Sequence, residues 1–145
     1  MIRPMLARDE SAVRAIYAAC HPTWPAQPPR FYEAHPTLVL EREREILGST
    51  SYSLIFAPDQ TLSTEVMYGH GIDIRPGHHG QGYARALCDE RLAVARAVGA
   101  TLFIGHAAPD NHAMMRLFDR DGFKPYGEAR DPDGRPIQLY IGPVQ

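Results

Sequence analysis

Residues 72–87 read Ile72-Asp73-Ile74-Arg75-Pro76-Gly77-His78-His79-Gly80-Gln81-Gly82-Tyr83-Ala84-Arg85-Ala86-Leu87. A strand ends at Ile74, a glycine-rich turn follows, and a helix begins. The first four amides of a helix have no partner within it and point outward, and the helix dipole adds positive charge there. Phosphate oxygens suit such a terminus. Gly80 and Gly82 let the backbone approach those oxygens without a Cβ in the way, and Ala84 keeps the next position small. Two phosphate signatures fail on spacing. A Walker A turn closes on Gly-Lys-Ser or Gly-Lys-Thr, whereas this one reads Gly82-Tyr83-Ala84. A dinucleotide fingerprint needs glycine at 80, 82 and 85, and residue 85 is Arg85.

Upstream of the turn, Ile2–Leu6 fits a first strand, and Asp9 is placed to cap a helix carrying Val13, Ile16 and Tyr17 on one face. His21 to Pro29 holds four prolines in nine residues and the single tryptophan, Trp24, so it is a loop. A short helix near Phe31–Ala34 precedes strands at Thr37–Glu43 and Ile46–Phe56, with Gly48 as a bulge candidate. Ala57-Pro58-Asp59-Gln60 signals a turn into a long strand, Thr61–Ile74, interrupted by Gly69 and Gly71. Downstream, Gly80–Val98 has helical spacing, with Tyr83, Leu87, Val94 and Val98 near one stripe and Gly99 as its cap. Leu102, Phe103 and Ile104 run together as a buried strand. Asp110 or Asn111 caps the next helix, which presents Met114, Leu117 and Phe118 and stops at Gly122. Lys124–Glu128 and Pro136–Ile141 pair across Asp131-Pro132-Asp133-Gly134. The order is that of an α+β fold with a mixed, largely antiparallel sheet, read as one domain over residues 1–145.

The composition fits an ordinary globular chain of 145 residues, 44% hydrophobic and 22% charged. A net charge of −2 gives no field to recruit nucleic acid. No stretch approaches the roughly 20 apolar residues of a membrane span, and the N-terminus lacks a signal-peptide core, so a cytoplasmic location is expected. Cys20 and Cys88 do not make a disulfide framework, and Cys88 reads as a buried helix residue. His78 and His79 are adjacent on a turn and converge poorly on one ion, so no metal site is expected.

The turn resembles the acetyl-CoA-binding motif of the GNAT superfamily of N-acetyltransferases, with Gly82 and Ala84 in the small-residue positions and His79 where the family has Arg or Gln. Asn111 to Phe123, with its Asn, its helix and its closing Gly122-Phe123, is similar to a later segment of the same family. The element order agrees over nearly the whole chain.

The resemblance implies acetyl-CoA as co-substrate and a small-molecule or peptide amine as acceptor, and it leaves a homodimer open. The turn from His79 through Gly80, Gln81, Gly82, Tyr83, Ala84 and Arg85 would hold the pyrophosphate. Ile72, Asp73 and Ile74 would face the pantetheine arm, where the family's strands splay apart. Asn111 would contact the cofactor or fix a covering loop, its plainer reading being a helix cap, and Asp73 has a plainer reading as the partner of an arginine. Acetyl transfer needs a neutral amine, hence a base. Glu65, early on the strand that leads to the turn, is the favoured candidate and His70 its competitor; His70 shares the face of Ile72 and Ile74 by alternation, and Glu65 lies on the opposite one unless a bulge at Gly69 or Gly71 resets the register. Phe118 would also border the cofactor, at the position where the family often places a proton-donating tyrosine, which leaves Tyr126, Tyr140 or water for that role. Trp24, Phe31 and Tyr32 would line the acceptor side, and His106 and His112 read equally as site or surface residues. Two further readings stand beside this one: a non-catalytic acyl-CoA-binding sensor, motivated by Phe118, and an enzyme using a longer acyl donor.

Overall fold

The computed structural model describes residues 1–56 and 62–145, with side chains described for residues 1–54 and 65–145. The expected turn at Ala57-Pro58-Asp59-Gln60 lies outside the described residues. The strands are β1 (Ile2–Pro4), β2 (Thr37–Arg42), β3 (Glu45–Phe56), β4 (Leu62–Ile74), β5 (Leu102–Ala107), β6 (Lys124–Arg130) and β7 (Pro136–Pro143). The helices are α1 (Glu10–Cys20), α2 (Phe31–Ala34), α3 (Tyr83–Ala97) and α4 (His112–Arg120). Among the described residues the strands form one mixed sheet in the order β1-β2-β3-β4-β5-β7-β6. β4 and β5 pair in parallel, whereas β1/β2, β2/β3, β5/β7 and β6/β7 are antiparallel. The chain divides into two compact units, Met1–Tyr52 with Ile72–Arg91 and Ser53–Gly71 with Leu92–Gln145.

In the first unit α1 buries Val13 and Ile16 against Val39 and Ile46. Asp9 does not cap this helix with its side chain. It accepts the Leu6 N–H (2.8 Å) and pairs with Arg3 (2.7 Å), so its carboxylate ties the strand exit to the helix start instead. The β2/β3 register slips between Leu40 and Glu41, next to Gly48, as the bulge reading expected. A Cβ on Gly48 would lie 2.8 Å from Ile74 Cδ1 and 3.0 Å from the Asp73 carbonyl, so the glycine also permits a close approach of β4. The apolar stripe expected on α3 is only partly right. Leu87 is buried but Val98 is exposed, and the buried neighbours of Leu87 here are Cys88 and Arg91. Arg91 belongs in the core because its guanidinium donates to Thr50 Oγ1 (2.8 Å), which a search for apolar spacing passes over.

In the second unit β5 is not buried throughout. Phe103, Gly105 and Ala107 face inward, and Leu102, Ile104 and His106 are half-buried, so the strand alternates. The inward face packs under α4, whose Met114 and Phe118 are buried. Gly105 lies directly under the Phe118 ring, and the Phe118 ring also stacks on Tyr140 (4.8 Å between centroids). Asn111 Oδ1 accepts the Met114 N–H (3.2 Å) and so caps α4. Gly99, at φ 84°, ends α3 with an Ala100 N–H to Ala95 C=O bond of 2.9 Å.

A Cβ on Gly105 would fall 2.6 Å from Phe118 Cζ. Gly105→Ala is therefore expected to cost about 1–3 kcal/mol by overpacking. Chemical denaturation checks this, and Phe118→Leu in the same chain should recover part of the loss.

Candidate active site

The glycine turn belongs to the first unit. After Ile74 the chain reverses at Pro76-Gly77, with the His78 N–H on the Arg75 C=O (3.0 Å) and Gly77 at φ 93°. Gly80 and Gly82 then take φ 78° and 82°, a region that side chains with a Cβ resist. The first α3 bond runs from the Ala86 N–H to the Gly82 C=O (3.0 Å). No acceptor within the described chain meets the amides of Gly80, Gln81, Gly82, Tyr83, Ala84 and Arg85. A Cβ at Gly80 or Gly82 would meet nothing within 4 Å, so the space before these amides is open. An unpaired run of donors at a helix start, open to solvent and backed by the helix dipole, fits a pyrophosphate. Arg42 adds a cation beside it, its Nη1 donating to Tyr83 Oη (2.6 Å). Its place at the end of β2, forty-one residues before Tyr83, hides it from any local motif.

His79, in the position of the family's Arg or Gln, turns back to donate from Nε2 to the Ile74 carbonyl (3.1 Å). The Cys20 thiol donates to the same carbonyl (3.2 Å). Asp73 pairs with His21, not with an arginine: His21 Nε2 and Asp73 Oδ1 are 2.7 Å apart. The His21 ring stacks on Trp24, with centroids 3.9 Å apart and planes 9° from parallel.

Trp24 and Tyr32 line one cavity of about 170 Å³ together with Arg14, Tyr17, His21 and Gln27. Burial pushes the Tyr32 phenol up to about 12, so it stays neutral there. Phe31 does not line the cavity but packs edge-on to Tyr32 (5.0 Å). The proline-rich wall is held by Arg14, which donates to the carbonyls of Gln27 (3.0 Å), Pro28 (3.1 Å) and Pro29 (3.1 Å). Neither the His21–Asp73 pair nor the Arg14 clamp was visible in the sequence, since partners 52 and about 14 residues apart meet only in the fold.

In the second unit the β4/β5 ladder is short. It comprises Val66↔Leu102, Met67↔Phe103 and Tyr68↔Ile104 and then stops, although β4 runs on to Ile74 and β5 to Ala107. The two strands splay where a row of polar rings begins. Tyr68 Oη and His106 Nδ1 are 3.1 Å apart, and His70 Nε2 and Ser53 Oγ are 2.9 Å apart. Tyr68 and His70 are near neighbours (5.1 Å between centroids). Glu65 lies at the opposite parity to His70 and is exposed, with its carbonyl accepting the Thr101 N–H (2.9 Å). Gly71 takes φ 102°, so alternation does not carry from His70 to Ile72 and Ile74. Phe118 is a core residue, 1% exposed, and Tyr126 is half-exposed at 51%. Among the described residues no group of three or more His, Cys, Asp or Glu side chains could hold a metal.

A model of the acetyltransferase (GNAT) family matches residues 10–123. The chain belongs to the GNAT acetyltransferase family. It is accordingly an N-acetyltransferase, and acetyl-CoA is the donor its fold uses. No curated protein matches the sequence. Among solved structures, an N-acetyltransferase from Staphylococcus aureus Mu50 aligns at a TM-score of 0.79 and 20% identity, covering 100% of this chain and 98% of that one. Salmonella typhimurium yncA, solved with its cofactor acetyl-CoA, aligns at 0.79 and 20% identity over 100% and 94%. The ribosomal-protein-alanine N-acetyltransferase from Brucella melitensis aligns at 0.79 and 22% identity over 99% of each chain. At these identities the likeness is one of fold.

Cys20 stands beside His21 and Asp73, an arrangement that invites comparison with a nucleophilic triad. Its thiol is spent on the Ile74 carbonyl, and burial, with Asp73 nearby, pushes it up to about 11. At pH 8 roughly one thiol in a thousand would be ionised, against about one in four for a free cysteine. The alkylation rate of Cys20 by iodoacetamide should therefore rise about tenfold per pH unit from 8 to 10, read by mass spectrometry. A plateau below pH 9 would contradict this.

Proposed function

We propose that this GNAT protein transfers acetyl from acetyl-CoA to a primary amine of a small molecule or peptide, by direct attack within a ternary complex. The observation that carries the reading is the run of unpaired amides from Gly80 to Arg85 at the head of α3. They would hold the pyrophosphate, His79 would fix the turn through Ile74, and the backbone of Ile72 to Ile74 would border the pantetheine arm. When bound, acetyl-CoA supplies an activated acetyl thioester. Direct attack is favoured over an acyl-enzyme because the Cys20 thiol beside His21 and Asp73 is held protonated.

The amine must lose a proton as the new C–N bond forms. Strand parity favours His70 over Glu65 for this task, since His70 shares its strand face with Tyr68 beside the splay. Ser53 orients the His70 ring through Nε2. Trp24 and Tyr32 would wall the acceptor, with Phe31 behind Tyr32 and Asn111 fixing the start of α4. The aromatic lining and the modest cavity suit a compact or flat group next to the amine.

Gly82→Asp places a carboxylate where the pyrophosphate would sit. Aspartate tolerates positive φ better than most residues, and a side chain there would meet nothing within 4 Å, so the fold should survive. Acetyl-CoA affinity, measured by calorimetry, should fall roughly 10- to 100-fold through like-charge repulsion, with the melting temperature changed by only a few degrees. Unchanged affinity would remove the turn from the binding site.

A further inference from the structure

Phe118 lacks the hydroxyl that the family resemblance assigns to that position, and it lies deep in the core beneath Gly105. Tyr140 packs on the Phe118 ring with planes 28° apart and is 7% exposed, while Tyr126 stands on β6, whose residues are almost all exposed. Tyr68 differs from both. It forms the last pair of the β4/β5 ladder, and its hydroxyl reaches across to β5 at the point where the strands part. The register fixes its face. Tyr68 pairs with Ile104, so Tyr68, Ile104 and His106 share one face of the sheet, and Phe103 and Gly105 lie on the other under Phe118.

We propose that Tyr68, held by an N–H on Nδ1 of His106, is the proton donor to the departing sulfur, in place of the hydroxyl missing at Phe118. This rests on the acetyl-transfer reading above. A tyrosine has one proton. If Tyr68 gave it to His106, none would remain for a ligand, whereas a His106 Nδ1–H donating to Tyr68 Oη leaves the phenolic hydrogen free to turn into the gap. A phenol is protonated at neutral pH, and burial, with Tyr126 nearby, raises that of Tyr68 further, so it releases its proton only to the strong base that the departing thiolate becomes.

The proton and electron count closes. The amine lone pair makes the C–N bond, and the C–S pair leaves on sulfur. Sulfur takes the Tyr68 proton, the amine's proton goes to His70 and on to solvent, and the Tyr68 phenolate takes a proton back from solvent once the thiol has left, while His106 keeps its Nδ1–H throughout. Tyr68 is thus a catalytic residue and His106 a positioning residue.

The first test needs no turnover. Nitrogen-15 NMR of the protein without cofactor should show His106 protonated at Nδ1, and Tyr68→Phe should shift that tautomer toward Nε2–H. A wild-type His106 bare at Nδ1 overturns the proposal. The second test is kinetic, with acetyl-CoA and a panel of tyramine, lysine amide and short peptides. Tyr68→Phe should lower kcat about 30- to 100-fold, toward the low end of general-acid effects because the thiol leaves readily, and should leave the KM and the calorimetric Kd for acetyl-CoA within threefold. His106→Asn, whose amide N–H overlays Nδ1, should stay within threefold of wild type, whereas His106→Leu should fall as far as Tyr68→Phe. Wild-type kcat in Tyr68→Phe, or equal loss in the two His106 variants, overturns the assignment. Should Tyr68→Phe melt early, the His106 pair and the tautomer decide. A wild-type protein that binds no acetyl-CoA would instead refute the acetyl-transfer reading, while an active wild type matched by Tyr68→Phe refutes only this one.

Discussion

The parallel pairing of β4 with β5 is the constraint on which the other features depend. Antiparallel neighbours can be joined by two residues, but parallel neighbours need a long return, usually helical. Residues 75–101 make that return, and α3 is its main part. A return helix must start near the end of the strand it leaves, so its unpaired amides gather just beyond Ile74. The pairing also stops after three residue pairs. The last pair of the ladder is Tyr68 with Ile104, and from Tyr68 the polar row continues to His70 and His106.

Several polar groups are buried to hold this arrangement, and each has a partner. Thr37 Oγ1 and Ser51 Oγ lie 2.8 Å apart in the β2/β3 ladder, and Arg91 reaches Thr50 beside them. Arg14 collects three carbonyls from a proline-rich segment that has few N–H groups of its own to build regular structure. Burying such groups without partners would cost more than the neighbouring apolar contacts return. Their pairing explains how a loop with four prolines can wall a defined cavity.

The family relationship and the local chemistry answer different questions. The first assigns acetyl transfer and acetyl-CoA, and the element order follows the family's throughout. The second is particular to this chain. A histidine stands at residue 79, a phenylalanine at 118, and a row of Ser53, His70, Tyr68 and His106 crosses three strands. Neither residue 79 nor residue 118 carries the side chain the family resemblance leads one to expect, and rings on β4 and β5 present protonatable groups elsewhere.

The sequence by itself determined the elements and their order, the glycine turn and the caps at Gly99, Asn111 and Gly122. These depend on neighbours within a few residues, where spacing and φ preference act directly. It also pointed to the core position of Cys88 and to the opposite parity of Glu65 and His70. Only the tertiary structure decided that Arg91 is buried, that Asp73 meets His21, that Arg42 stands by Tyr83, and that Gly71 breaks the alternation after His70. Each of these rests on a partner many residues away or on one backbone angle. The pattern of apolar residues constrains neither, because it records which face is buried and not which polar atoms meet across it.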